Sequence, residues 1–219
     1  MSLFRPLYVT AFLLDDWLAS TSYFGATRVL VTSASAKTAF SLATLLSKRG
    51  SGRPKIVGLT SAKNRPFVEG LGVYDEVRLY DDVATLPIER TVSIDVAGNE
   101  KVLGAIHERL VSELAHSCRL GGSHWESRPD LAGGGANWPG PAPQLFFAPS
   151  HAEQLMKEWT PPVFIERVGA SLARFLQETR GGWLEVRESR GREAVDTLYH
   201  QMLDAQVPPN IGVMLALGE

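Results

Sequence analysis

The chain has 219 residues, 44% of them hydrophobic and 21% charged, with a formal net charge of −2. That length accommodates about one domain or one and a half. The balance of apolar and charged residues excludes a wholly disordered chain, and the charge leaves no basic footprint for nucleic acid. A single cysteine, Cys118, excludes a disulfide framework and a cysteine-based zinc site.

Residues 5–20 read as a helix, with Leu7, Phe12, Leu13 and Trp17 as its buried stripe. The apolar stretch Tyr8 to Leu14 runs straight into Asp15 and Asp16 without a small-residue cleavage site, so it is not read as a signal peptide. No apolar run approaches the roughly 20 residues of a membrane span. The expectation is a cytoplasmic protein with no membrane partner.

Arg28 to Ser33 is a short apolar run rich in β-branched residues and reads as a buried strand. A helix follows from Ala36 to Lys48, then a turn from Gly50 to Pro54 and a second strand from Lys55 to Thr60. Pro66 suits the first turn of a helix that stops at Gly72. Strands are expected at Glu76–Tyr80, Thr91–Asp95 and Ala115–Leu120, with a helix from Glu100 to Leu114 between the last two. Residues 121–143 are dense in Gly and Pro and read as a long loop, either a lid or an insertion. A sixth strand is expected at Gln144–Ala148, a helix at Val163–Glu178, a strand at Trp183–Arg187, a helix at Glu193–Leu203 and a final strand at Ile211–Leu217. Apolar rather than alternating strands, separated by helices, predict a doubly wound α/β domain: a parallel, Rossmann-like sheet with helices on both faces. Residues 1–25 lead into that domain, which fills 26–219.

Ligands of open α/β sheets bind beyond the carboxyl ends of the strands, and the first strand–helix turn usually handles phosphates through the helix N-terminus. Here that turn is Thr32-Ser-Ala-Ser-Ala-Lys-Thr-Ala39. Val29 to Ala39 resembles the cofactor turn of zinc-independent medium-chain dehydrogenases, the quinone-oxidoreductase group. Ile56–Ser61, Asn64–Gly72, Tyr74–Tyr80, Ser93–Gly98 and Ser117–Gly122 resemble that group's following elements in order. Phe147-Ala-Pro149 and Val207-Pro-Pro209 look like a bacterial branch of the superfamily that lacks the fingerprint glycines. The likeness is good over 26–123 and loose over 144–219. Members carry an N-terminal GroES-like catalytic domain, so the resemblance implies that such a domain is absent from this chain.

Every fingerprint glycine is replaced. Ala36, Lys37 and Ala39 stand at three of those positions, and Ser33, Ser35, Lys37 and Thr38 are gained as phosphate donors. The turn is either an altered phosphate cradle or a degenerate one with Lys37 merely solvated. After the second strand, where NAD sites place an acid, stand Thr60 and Ser61, then Lys63 and Arg65. A hydroxyl and two cations suit a 2′-phosphate, which favours NADP(H); the plainer reading is an ordinary surface helix start. Tyr80 would line the adenine side. Val96, Ala97 and Gly98, with Gly121 and Gly122, would approach the nicotinamide half.

The five histidines show no metal-ligand spacing, and no Tyr-x-x-x-Lys pair or Gly-x-Ser-x-Gly elbow occurs. No residue stands out as a catalytic acid or base. Asp95 reads more readily as a turn residue than a cofactor contact, and Cys118 as packing. Hydride transfer tolerates this, because the cofactor carries the chemistry. The expected substrate is a small carbonyl compound such as an enone or quinone. A methyltransferase would want a Gly-rich turn and an acid ending the second strand. The non-enzymatic alternative is a Rossmann-like relic serving as an oligomerisation module. A homodimer through an edge strand near 144–148 is expected under either reading.

Overall fold

The computed structural model describes residues 4–121, 137–179, 182–204 and 206–216. Eight strands and seven α-helices occur among them, in the order α1(Arg5–Ser20), β1(Arg28–Val31), α2(Lys37–Ser47), β2(Lys55–Thr60), α3(Arg65–Gly70), β3(Glu76–Leu79), β4(Thr91–Asp95), α4(Glu100–Leu110), β5(Leu114–Arg119), β6(Gln144–Leu145), α5(Ala148–Trp159), α6(Pro161–Thr179), β7(Glu185–Arg190), α7(Arg192–Leu203) and β8(Ile211–Ala216).

Strands β1–β6 form one parallel sheet in the order β3-β2-β1-β4-β5-β6. This is the doubly wound order, and its switch point lies between β1 and β4. Because strand side chains alternate, β1 sends Val29 and Val31 to one face and Leu30 to the other. On the first face they join Ala11, Leu14 and Leu18 of α1 and Ala39, Leu42, Ala43 and Leu46 of α2. On the second they join Val102, Ile106 and Leu110 of α4. Burial on both faces is why β1 and β2 read as near-continuous apolar runs.

The α1 stripe differs from expectation. Of Leu7, Phe12, Leu13 and Trp17 only Leu13 is fully buried; the core face carries Tyr8, Ala11, Leu14 and Leu18. Asp15 is buried beside them because Arg49 grips it with two hydrogen bonds of 2.7 Å. Burial still pushes the Asp15 carboxyl upward, and Arg49 opposes the shift. A third cluster links Phe4, Tyr8 and Phe40 to Leu172 and Phe175 of α6.

The expected strand at 144–148 shrinks to the two residues of β6, and Ala148 already starts α5. Sequence reading gave no element to residues 149–159, which form the rest of α5 and bury His151 and Leu155. The helix expected to reach Leu114 ends at Leu110 in a 3-10 turn. Most of the Gly/Pro-rich stretch lies outside the described residues. Its end returns to the core, where the Pro139 carbonyl lies 3.0 Å from His107 Nδ1. A carbonyl only accepts, so Nδ1 carries the proton and Nε2 accepts from the Ser117 hydroxyl at 2.9 Å. Burial lowers the His107 pKa, in keeping with a neutral ring.

β7 and β8 do not extend the main sheet. They pair with each other, parallel, in a separate two-stranded sheet joined through α7. Such a small sheet is marginal unless something anchors it.

Candidate cofactor site

The turn after β1 lies at the switch point, and the structure shows what each of its side chains does. Ser33 takes a left-handed φ of 51°, which turns the chain out of the strand. Its hydroxyl lies 3.3 Å from the Tyr80 hydroxyl. Ala34 is fully buried and its carbonyl accepts from Tyr74 at 2.8 Å. This packing requires Gly58 on β2: a Cβ there would come within 2.9 Å of both Ala34 Cβ and the Tyr74 ring. Ser35 accepts from Asn64 Nδ2 at 3.1 Å, tying the first turn to the start of α3.

Ala36 is the N-cap of α2, in extended conformation and with no side chain capping the helix. The N–H groups of the first helical turn have no intrahelical partner, which leaves them directed at whatever occupies the strand end. The Ala36 side chain packs toward the first core cluster. Thr38 is half-buried in the same turn, and Ala39 packs fully into the core.

Lys37 departs most from expectation. Its ammonium donates to the carbonyls of Pro209 at 3.1 Å and Ile211 at 2.9 Å. Burial lowers its pKa. The residue read as a phosphate ligand or a solvated lysine instead clamps the start of β8 onto α2.

Beside this clamp lies a cavity of about 360 Å³ between Ser35, Ser61, Lys63 and Asn64 on one side and Asp204 and Val207–Pro209 on the other. Ser61 and Lys63, singled out for a 2′-phosphate, therefore share one cavity. Arg65 does not join them: it is exposed and bonds Glu69 on its own helix at 2.7 Å. Thr60 is fully buried with an unpartnered hydroxyl, so it faces the interior rather than a ribose. Asn64 and Val207–Pro209 entered the sequence reading only as parts of the family resemblance, not as site residues. No local signal marks them, because they become neighbours only through folding.

At the end of β4, Asp95 is almost wholly buried. Its Oδ1 accepts from Thr32 at 2.8 Å and from the Gly98 N–H at 3.2 Å, the role of a turn residue. Gly98 adopts a φ of 76°, as the turn requires. Burial pushes the Asp95 carboxyl upward, against the lowering by Thr32 and Gly98. Its Oδ2 has no hydrogen-bond partner, and Arg119 Nε stands 4.0 Å away, held by Glu100. Val96 is half-buried and Ala97 buried. Gly121 has open space where a side chain would project. Gly122 lies outside the described residues. Among the described residues no group of three His, Cys, Asp or Glu side chains is placed to hold a metal ion. Among them, too, no helix is long and apolar enough to cross a membrane.

The model of a family described as "Protein of unknown function (DUF2855)" matches residues 1–208. No curated protein matches the sequence. Among solved structures, the chain is similar to the YhdH oxidoreductase of Salmonella enterica in complex with NADP, with 17% identity and a TM-score of 0.54 over 96% of this chain and 61% of that one. It is similar to CurA of Vibrio vulnificus in complex with NADPH, with 12% identity and a TM-score of 0.56 over 94% and 63%. A third is the CurK enoyl reductase, with 15% identity and a TM-score of 0.53 over 87% and 55%. All three are medium-chain dehydrogenase/reductase proteins, and their shared fold is the one the sequence resembled. The chain spans about three-fifths of their length.

Proposed function

The chain belongs to the DUF2855 family, and we propose that its doubly wound domain binds NADP(H) as the cofactor half of an oxidoreductase that reduces an enone, quinone or similar carbonyl compound. One observation carries the reading. The uncapped N-terminus of α2 opens at the switch point, next to a cavity whose near wall holds two hydroxyls, an amide and a cation. Helix N–H groups suit a diphosphate, and the Ser35, Ser61, Lys63 and Asn64 set suits a phosphate monoester. The Ala36 methyl packs toward the core. The NADP(H)-bound relatives of like fold support the same reading.

Bound there, the dinucleotide supplies the hydride. The chain's own groups bind and orient it: the α2 backbone at the diphosphate, Ser61 and Lys63 at the 2′-phosphate, and the Gly98 turn with Gly121 at the nicotinamide end. Tyr80, held by Ser33, stands on the adenine side. Arg65, paired with Glu69, contributes at most a distant charge.

One observation favours the relic reading instead: Lys37 already serves the C-terminal strand rather than a ligand. Titration with NADPH and NADH, followed by tryptophan quenching, separates the two. Saturable binding that prefers NADPH, with the preference lost in Lys63→Ala, is the expected result. Failure of both dinucleotides to bind at millimolar concentration would leave the interaction module as the function.

A further inference from the structure

The segment Gln206–Ile211 passes between two voids. Val207 and Pro208 line the cavity of about 360 Å³ beside the α2 N-terminus. They also line a larger one, of about 680 Å³, bounded by α7, β7 and β8. A stretch of chain with empty space on both sides packs against little and can shift at small cost. Pro208 and Pro209 have no N–H to bond elsewhere. The Pro208 carbonyl is used locally, accepting from the Ile211 N–H at 3.0 Å. The carbonyls of Pro209 and Ile211 instead reach across to Lys37, so the ammonium latches this segment to α2.

The latch is electrostatically incomplete. Lys37 is the first residue of α2, where the helix dipole is positive and a cation is disfavoured. Both of its acceptors are neutral, and no carboxylate bonds it among the described residues. Burial lowers its pKa, and no acid counters that shift. An ammonium has three donors, and two are in use. A partly desolvated cation with only neutral partners, at the positive end of a helix, is stabilised by an anion.

We propose that Gln206–Ile211 is a cofactor-responsive gate: a phosphate group of the dinucleotide takes the third donor of Lys37, and Lys37, still bonded to Pro209 and Ile211, holds the segment shut over the bound nucleotide. The gate presupposes dinucleotide binding at the switch point. It opens for entry by moving toward the larger cavity. The phosphate charge then offsets both the helix dipole and the burial of the ammonium, so the latch is stronger with the ligand than without it. Linkage makes the effect reciprocal, because a nucleotide that favours the closed gate is itself held by it. A closed gate also slows release.

The test uses the full chain. Tryptophan quenching first fixes the NADPH concentration that saturates each protein, and hydrogen exchange is then followed with and without NADPH. Exchange at residues 206–216 should slow roughly tenfold on saturation of the wild type. In Lys37→Met, NADPH should no longer slow it. Pro208→Gly combined with Pro209→Gly keeps Lys37 and both carbonyls but frees the segment. NADPH should leave that variant roughly tenfold faster in stopped flow, and it decides the matter if the Lys37 variant does not fold. NADPH that binds the wild type without slowing exchange at 206–216 overturns the gate and leaves the dinucleotide reading standing. An unchanged release rate in the folded glycine variant does the same. Absence of NADPH binding at millimolar concentration overturns the dinucleotide reading and the gate with it.

Discussion

Replacing Lys37 with methionine isolates the clamp between α2 and β8. The ammonium makes two charge-assisted hydrogen bonds, to the carbonyls of Pro209 and Ile211. Bonds of this kind contribute about 1.5–3 kcal/mol each, and less than the sum where they share one donor group. Methionine keeps most of the stem's packing, so the loss is expected to be about 3 kcal/mol in the local stability of the β7–α7–β8 unit. A free-standing pair of strands has little reserve. That loss corresponds to roughly a hundredfold faster opening, measured by hydrogen exchange over residues 206–216. The six-stranded sheet keeps its own core on both faces, so exchange in β1, β2 and β4 should hardly change. Unaltered exchange at 206–216, or a uniform loss that includes the central strands, would show that Lys37 does not anchor this unit.

Gly58→Ala should cost about 1–3 kcal/mol by overpacking, because its Cβ would meet Ala34 and Tyr74 at 2.9 Å; a denaturant titration reads the loss. Burial holds His107 and His116 below the ordinary imidazole value of 6.5. As pH falls through that value the unfolded chain takes up protons that the native chain does not, so stability drops on mild acidification. The buried carboxyls of Asp15 and Asp95 are shifted upward from 3.8 and act oppositely where they titrate. Denaturation midpoints should fall from pH 7.5 to 5.5, and less so in His116→Phe; a flat profile would contradict the neutral, buried imidazoles. Among the described residues the outer edge of β6 is unpaired, and Leu145 on it and Phe147 beside it are exposed. If two copies join there, sedimentation should report a dimer that Leu145→Asp with Phe147→Asp converts to monomers; a monomeric wild type would remove the edge-strand interface.

The parallel sheet was legible because its cause is local in sequence. Val29–Val31 and Ile56–Leu59 carry no polar side chain on consecutive residues, as a strand buried on both faces demands. The six-residue helix from Arg65 was visible through Pro66 at its first turn. Helix α5 was missed although Ala148, Ala152, Leu155, Met156 and Trp159 repeat at helical spacing. The site was half legible. Ser61 and Lys63 share a cavity as their spacing after β2 suggested, whereas Arg65 turned to Glu69 on its own helix.

The sequence by itself determined most of the element types, the parallel sheet and the place of the switch point, because hydrophobic periodicity and turn chemistry act over a few residues. Tertiary structure decided which side chains remain available there. Lys37 finds its acceptors 172 and 174 residues away, and Asn64 finds Ser35 across a strand. A charged or polar side chain settles on whichever buried carbonyl or hydroxyl the completed fold brings within reach, and that choice has no signature in the residues on either side of it.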